Sequence, residues 1–116
     1  MENELGHADC PVTATIALFD GRWKVMILYV LSKKSRRFGE ILVRVPSISK
    51  KVLTEQLREL EADGLISRKQ YRETSPRVEY ALTDLGKSLC PLLIDIAAWK
   101  RKYIGSPNQG ETKLPD

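Results

Sequence analysis

Apolar residues along the chain keep a helical period over most of its length and switch to alternation in one stretch, which predicts the elements. Cys10-Pro11 reads as a helix start, with proline at the first helical position, where its missing N–H costs nothing. That helix runs to about Phe19, with Val12, Ile16 and Phe19 on one face, and Asp20-Gly21 breaks it. Arg22 to about Leu31 is a second helix, apolar nearly all round, as a buried central helix is. The polar run Ser32 to Arg37 reads as a loop. Phe38 to about Val45 is a short third helix ended by Pro46, because the residue before proline is pushed out of the helical region. Ser49 is a good N-cap for a fourth helix, Lys50 to Asp63, stopped by Gly64. Its Leu53, Leu57 and Leu60 recur at i, i+4 and i+7 and mark the buried face.

From Leu65 the period changes. Leu65 to Arg72 and Arg77 to Leu82 read as two strands, with Val78, Tyr80 and Leu82 alternating with Arg77, Glu79 and Ala81. Glu73 to Pro76 supplies the turn. Thr83 caps a last helix that runs to about Ile104, and Pro91 inside it is expected to kink or split it. The expected fold is mainly α with a small antiparallel hairpin: a winged helix-turn-helix dimerising through terminal helices. Residues 10–104 form the folded unit, 1–9 a mobile arm and 105–116 a disordered tail.

Composition removes several alternatives. A chain of 116 residues has room for one domain. Its 42% hydrophobic and 29% charged residues match a folded, water-soluble balance. The longest apolar run, Val25 to Leu31, falls far short of the roughly 20 residues that span a bilayer. The acidic start Met1-Glu2-Asn3-Glu4 leads into no apolar stretch, so no secretory signal is expected. Two cysteines are too few for a disulfide scaffold.

The net charge of +4 conceals an uneven distribution. Between Arg22 and Glu79 stand 14 basic and 7 acidic residues, a local +7, and the rest of the chain carries −3. A field of that sign attracts polyanions, although a lysine-rich solvated surface would show the same arithmetic. The order of elements favours the first. The third and fourth helices with Pro46 to Ser49 between them form a helix-turn-helix, and the hairpin is its wing. A helix fits the major groove of DNA, and its first turn offers N–H groups to phosphate. Opposite the leucine face lie Lys51, Glu55 and Arg58, flanked by Lys50 and Thr54, with Ser47 and Ser49 at the tip. Glu-to-Arg pairing on a solvated helix side is the plain alternative. The wing adds Arg68, Lys69, Arg72 and Arg77 around its tip, suited to the backbone or minor groove.

In the last helix Leu85, Leu89, Leu92, Ile96, Trp99 and Tyr103 step by alternating fours and threes, a heptad-like seam. Either it folds back on its own domain or it meets a second copy. A two-fold dimer sets two recognition helices one DNA turn apart, roughly 34 Å, on a pseudo-palindromic site.

Several blocks together resemble a known family. They are Cys10-Pro11, Asp20-Gly21-Arg22-Trp23-Lys24, and Arg36-Arg37-Phe38-Gly39-Glu40-Ile41, followed by Ile48 through Ile66 and Pro76 through Thr83. In this order they are similar to the HxlR family of MarR-like winged-helix transcriptional regulators, over about residues 10 to 103. The resemblance implies bacterial or archaeal cytoplasm and a homodimer joined by its terminal helices, Val12, Ile16 and Phe19 included. It implies repression or activation at a promoter. It also implies that a cysteine at the position of Cys10 senses electrophiles or oxidants. A thiolate at a helix N-terminus is stabilised by the dipole, whereas Asp9 and the acidic arm oppose its ionisation. The alternative for Cys10 is a small half-buried residue. Cys90, before Pro91, is a weaker candidate, and a disulfide from Cys10 to Cys90 of another subunit suits two dimer-forming helices.

Other function classes have less behind them. No metal is expected, because His7 and two cysteines fall short of a zinc set. No cofactor is expected either, and a thiol enzyme lacks a base beyond His7. A winged helix used for protein contact would interrupt its basic face with exposed aromatics, and this one does not. A small metabolite in the dimer cleft, near Tyr29, Trp99 and Tyr103, is the remaining alternative for the effector.

Overall fold

The computed structural model describes residues 10–72, 74 and 76–105. The expected arm over 1–9 with His7, the tail beyond 105, and Glu73 and Ser75 of the turn lie outside the described residues. In order, the elements are α1 (Pro11–Ala17), α2 (Lys24–Lys33), α3 (Phe38–Arg44), α4 (Lys50–Ala62), β1 (Ile66–Tyr71), β2 (Arg77–Leu82) and α5 (Asp84–Tyr103). Among the described residues, five helices and one antiparallel hairpin, with the hairpin directly after a helix-turn-helix, make the winged-helix arrangement that the pattern predicts.

α2 is central because both its sides find apolar partners. Ile27, Leu28 and Val30 are fully buried among Ile41 and Val45 from the α3 segment, Leu53, Leu57 and Leu60 from α4, Ile66, Leu82 and Leu89. Burial of each such side chain contributes about 1.5–3 kcal/mol, which is what fixes the angle of α4 to the rest. Three helices begin on side-chain caps. Ser49 Oγ accepts from Val52 N (3.1 Å) and Thr83 Oγ1 from Gly86 N (3.1 Å). At α1 the cap is a sulfur: Cys10 Sγ accepts from Thr13 N at 3.2 Å.

The hairpin pairs Ile66 with Leu82 and Tyr71 with Arg77. Only its base, Ile66 and Leu82, is buried. The buried/exposed alternation expected in β2 is not seen, because the strands run out from the core and every residue from Arg77 to Ala81 is half-buried.

Four further expectations need correction. The first helix ends at Ala17, short of Phe19, and buries none of its side chains; Phe19 packs against the core from the turn that follows. Ser32 to Arg37 is not simply a loop. Arg36 forms a one-residue antiparallel bridge with Tyr80, N–H to O in both directions at 2.9 and 2.8 Å, so the wing gains a one-residue third strand beside β2. The Arg36 side chain is buried and donates through Nε to the Val30 carbonyl (3.3 Å), capping the end of α2. α2 itself is not purely apolar, since Lys24 is buried and paired with Glu59 of α4 at 2.8 Å. Finally, of the kink or split expected at Pro91 the split is not seen: α5 runs unbroken from Asp84 to Tyr103. Pro91 and Lys87 are both exposed, so the carbonyl that loses its N–H partner faces water. Among the described residues, no helix is long and apolar enough to cross a membrane.

Candidate nucleic-acid interface

α4 presents the site because its leucines anchor one side and leave the other open. Lys50, Lys51, Thr54 and Arg58 are all exposed, and Ser47 and Ser49 are exposed at its leading end. Glu-to-Arg pairing does not occupy this face, for Lys50, Lys51 and Arg58 make no ion pair within the described residues. The Thr54 hydroxyl donates to the Lys50 carbonyl at 2.8 Å, so its oxygen lone pairs, not its proton, face outward. Two devices hold the helix in place. The Lys24–Glu59 pair ties it to α2. The turn before it is tight, with Ser47 at φ 67° and Ile48 buried beneath. A left-handed serine is uncommon and is held here by its surroundings.

At α3, the Arg37 N–H donates to Glu40 Oε1 at 2.8 Å, closing the first turn. That bond, with Lys34, Arg37 and Arg44 nearby, holds the Glu40 carboxyl below its ordinary pKa.

The wing cations are not all at the tip. Arg68 faces Tyr80 across the strands and Lys69 faces Glu79; Arg72 and Arg77 flank the turn. By strand alternation Lys69, Tyr71, Arg77 and Glu79 share one side and Arg68 takes the other. Two cations lie against the Tyr71 ring, Arg77 at 4.3 Å and Lys69 at 5.0 Å from its centroid. Arg77 is also bonded to Glu79 (2.9 Å). Arg68, Lys69 and Arg72 are exposed, whereas Arg77 is half-buried.

The seam of α5 divides. Leu89 turns into the protomer core, while Leu85, Leu92, Ile96, Trp99 and Tyr103 stay exposed with Ile94 and Ile104. Val12 and Ile16 of α1 are exposed too, both near 45–48%. Trp99 and Tyr103 touch one another with centroids 5.8 Å apart. Exposed apolar side chains recurring along a helix in this way mark an interaction face.

Both cysteines are thiols. Cys10 is 2% exposed, and besides Thr13 N its sulfur sits 3.0 Å from Thr13 Oγ1. Burial pushes the Cys90 thiol above its ordinary pKa, and Cys90 Sγ donates to the Gly86 carbonyl at 3.6 Å. Cys90 also lines a cleft of about 470 Å³ between the end of α2, β2 and α5. None of Tyr29, Trp99 and Tyr103 lines that cleft.

The positions that sequence reasoning missed are Lys24, Arg36 and the cleft. A lysine at one end of an apolar helix and an arginine in a polar run carry no periodic signal. The cleft forms only when three segments distant in sequence meet.

Comparison with known proteins places this geometry. The HxlR-like helix-turn-helix family model matches residues 18–108. The HTH-type transcriptional regulator YdeP of Bacillus subtilis is 43% identical over 94 residues, covering 81% of this chain and 73% of its own. Among solved structures, the redox regulator HypR in its reduced form is similar with a TM-score of 0.74 and 38% identity, over 81% of this chain and 95% of that one. The reduced form of the regulator YodB from B. subtilis gives 0.76 and 35%, over 81% and 93%. With the helix-turn-helix, the wing and the open cationic face already in place, the chain belongs to the HxlR-like helix-turn-helix family: it is a MarR-like winged-helix, DNA-binding transcriptional regulator and not an enzyme.

Proposed function

We propose that the protein acts as a homodimer on a pseudo-palindromic operator. Ser47, Ser49, Lys50, Lys51, Thr54 and Arg58 enter the major groove. Arg68, Lys69, Arg72 and Arg77 of the wing lie along the backbone or minor groove. The observation that carries the reading is the unpaired cationic face of α4, held rigid by three buried leucines and the Lys24–Glu59 pair. Exposed apolar residues along α5 and α1 support the second copy: Val12 and Ile16 with Leu85, Leu92, Ile96, Trp99 and Tyr103. Phe19 and Leu89 serve the protomer core beneath that face.

In this reading Cys10 is the switch for an oxidant or small electrophile. Its sulfur already accepts an N–H bond as the cap of α1, so modification of the thiol removes that cap. Because the sulfur is buried, modification displaces α1 and so reaches the dimer face. Cys90 is the second candidate, with its thiol held above the ordinary pKa by burial. The likeness to HypR and YodB supports a redox response without assigning the residue.

Gel shifts over a salt series test the DNA face. Lys51→Ala lowers operator affinity and reduces the slope of log K against log salt by about 0.9, one phosphate contact. Operator binding untouched by Lys51→Ala, Thr54→Ala and Arg58→Ala together refutes the assignment. For the switch, wild type and Cys10→Ser are compared with and without diamide or a quinone. Equal responses remove Cys10 from the role.

A further inference from the structure

We propose that Glu55 is a specificity-determining residue of α4 that accepts a hydrogen bond from a cytosine amino group in each half-site. This rests on the reading of α4 as the major-groove helix. With about 100° per residue, Glu55 lies within roughly 15° of the direction opposite the Leu53, Leu57 and Leu60 face, nearer to it than Lys51 or Arg58. It stands in the second turn of α4 and is exposed. Nothing within the described residues uses its carboxylate: Glu55 makes no ion pair there, although Lys51 stands one turn before it and Arg58 one turn after. Lysine preceding glutamate by four residues is the weaker order for such a pair. Glu59, the next carboxylate along the helix, is already held by Lys24 at 2.8 Å. Thr54 beside Glu55 also turns acceptor lone pairs outward, its proton being given to the Lys50 carbonyl.

A carboxylate at the centre of a cationic face has the wrong charge for phosphate, and the floor of the groove is where it meets donors. Guanine N7 and O6 and thymine O4 are acceptors, so those edges repel it. Adenine N6–H2 is a donor with an acceptor on each side, its own N7 and the O4 of the paired thymine. Cytosine N4–H2 has an acceptor on one side only, the O6 of its guanine. The carboxylate therefore favours cytosine. The guanine of the same pair suits the cations next to Glu55, Lys51 and Arg58. A face of mixed sign, with acceptors at Thr54 and Glu55 among cations, reads base edges where a purely cationic one only follows the backbone.

Full-length wild type, Glu55→Gln and Glu55→Ala each select operators from a pool of random duplexes, which are then sequenced. Affinities for the selected duplexes and their single-base variants follow by gel shift. Glu55 is exposed, so both variants are expected to fold, checked by circular dichroism. Wild type is expected to favour cytosine over thymine by about fivefold or more at one position of each half-site. Glu55→Gln loses that preference, because its amide donates to thymine O4, and gains adenine, whose N6 and N7 it meets together. Glu55→Ala tolerates any base there. Three results overturn the proposal: no half-site position that prefers cytosine over thymine, every such preference kept by Glu55→Gln, or a gain in affinity by Glu55→Gln that is equal for all duplexes. The last makes Glu55 a plain repulsive charge. Lys51→Ala, measured alongside, separates this failure from that of the groove reading. If it still lowers operator affinity, only the assignment of Glu55 falls. If Lys51→Ala, Thr54→Ala and Arg58→Ala together leave binding untouched, both fall.

Discussion

Gly86 decides how closely the wing and the terminal helix approach one another, and replacing it by alanine tests that contact. A Cβ built there meets the Leu65 carbonyl oxygen at 2.1 Å, the Leu65 carbonyl carbon at 3.1 Å and Leu82 Cδ2 at 3.3 Å. Real Cβ atoms almost never come within 3.0 Å, so the gap must open by about 0.9 Å. Backbone is the hardest partner to displace, and this one is pinned. Leu65 O accepts from Thr83 N (3.1 Å), and Thr83 Oγ1 donates to the Gly64 carbonyl (2.5 Å) while capping Gly86 N. Opening the gap strains or breaks that cap. Alanine raises helix propensity by about 1 kcal/mol, which opposes the effect. Overpacking of about 1–3 kcal/mol and a lost cap of about 1 kcal/mol exceed it, for a net loss of about 1–3 kcal/mol. In a domain of this size that lowers Tm by roughly 4–12 °C. Urea and thermal unfolding, at one fixed protomer concentration, provide the measurement. Gly39→Ala is the internal comparison: it lies in α3 with nothing within 4 Å, and should stabilise by about 0.5–1 kcal/mol. A Gly86→Ala loss below about 0.5 kcal/mol, or equal signs for the two variants, refutes the reasoning.

Other consequences follow from single contacts. Glu59→Ala leaves Lys24 buried without its carboxylate and should cost about 1–2 kcal/mol in urea unfolding, discounted because Glu59 is half in water; Lys24→Met should cost less. Ser47→Gly relieves the left-handed strain and leaves stability level or higher, while Ser47→Val lowers it by about 1–2 kcal/mol. The Cys90 thiol, raised by burial, contributes stability that is complete below the ordinary thiol pKa and fades as pH rises through its folded value. Its alkylation rate in the folded protein should accordingly reach half-maximum at a higher pH than in urea-unfolded chain, read by mass spectrometry.

Legibility followed the source of each feature. α4 was readable to within a residue because Leu53, Leu57 and Leu60 repeat at helical spacing and Ser49 and Gly64 bracket them. The hairpin was readable in its two strands and not in its burial, since alternation says nothing of how far a wing projects. Arg36 escaped notice because a single bridge residue has no period, and its burial depends on a carbonyl six residues earlier and a strand 44 residues later. At Pro91 the local rule allowed a kink or a split, and the split is what packing on one side of α5 and water on the other overrule. The seam was partly legible, because a heptad-like step cannot show which leucine the protomer takes for itself. Leu89 is that residue.

The sulfur cap of α1 has a thermodynamic side as well. Seven residues are below the length at which a helix sustains itself in water, and none of these seven is buried. On its own such a helix is marginal, so small free energies move its population between helix and coil. An N-cap is worth about 0.5–2 kcal/mol, which alters that ratio by roughly two- to thirtyfold. Whatever covers Val12 and Ile16 acts on the same balance and in the same direction, since it too favours the helix. One atom at the start of α1 and one apolar surface along it thus hold a single short helix between them.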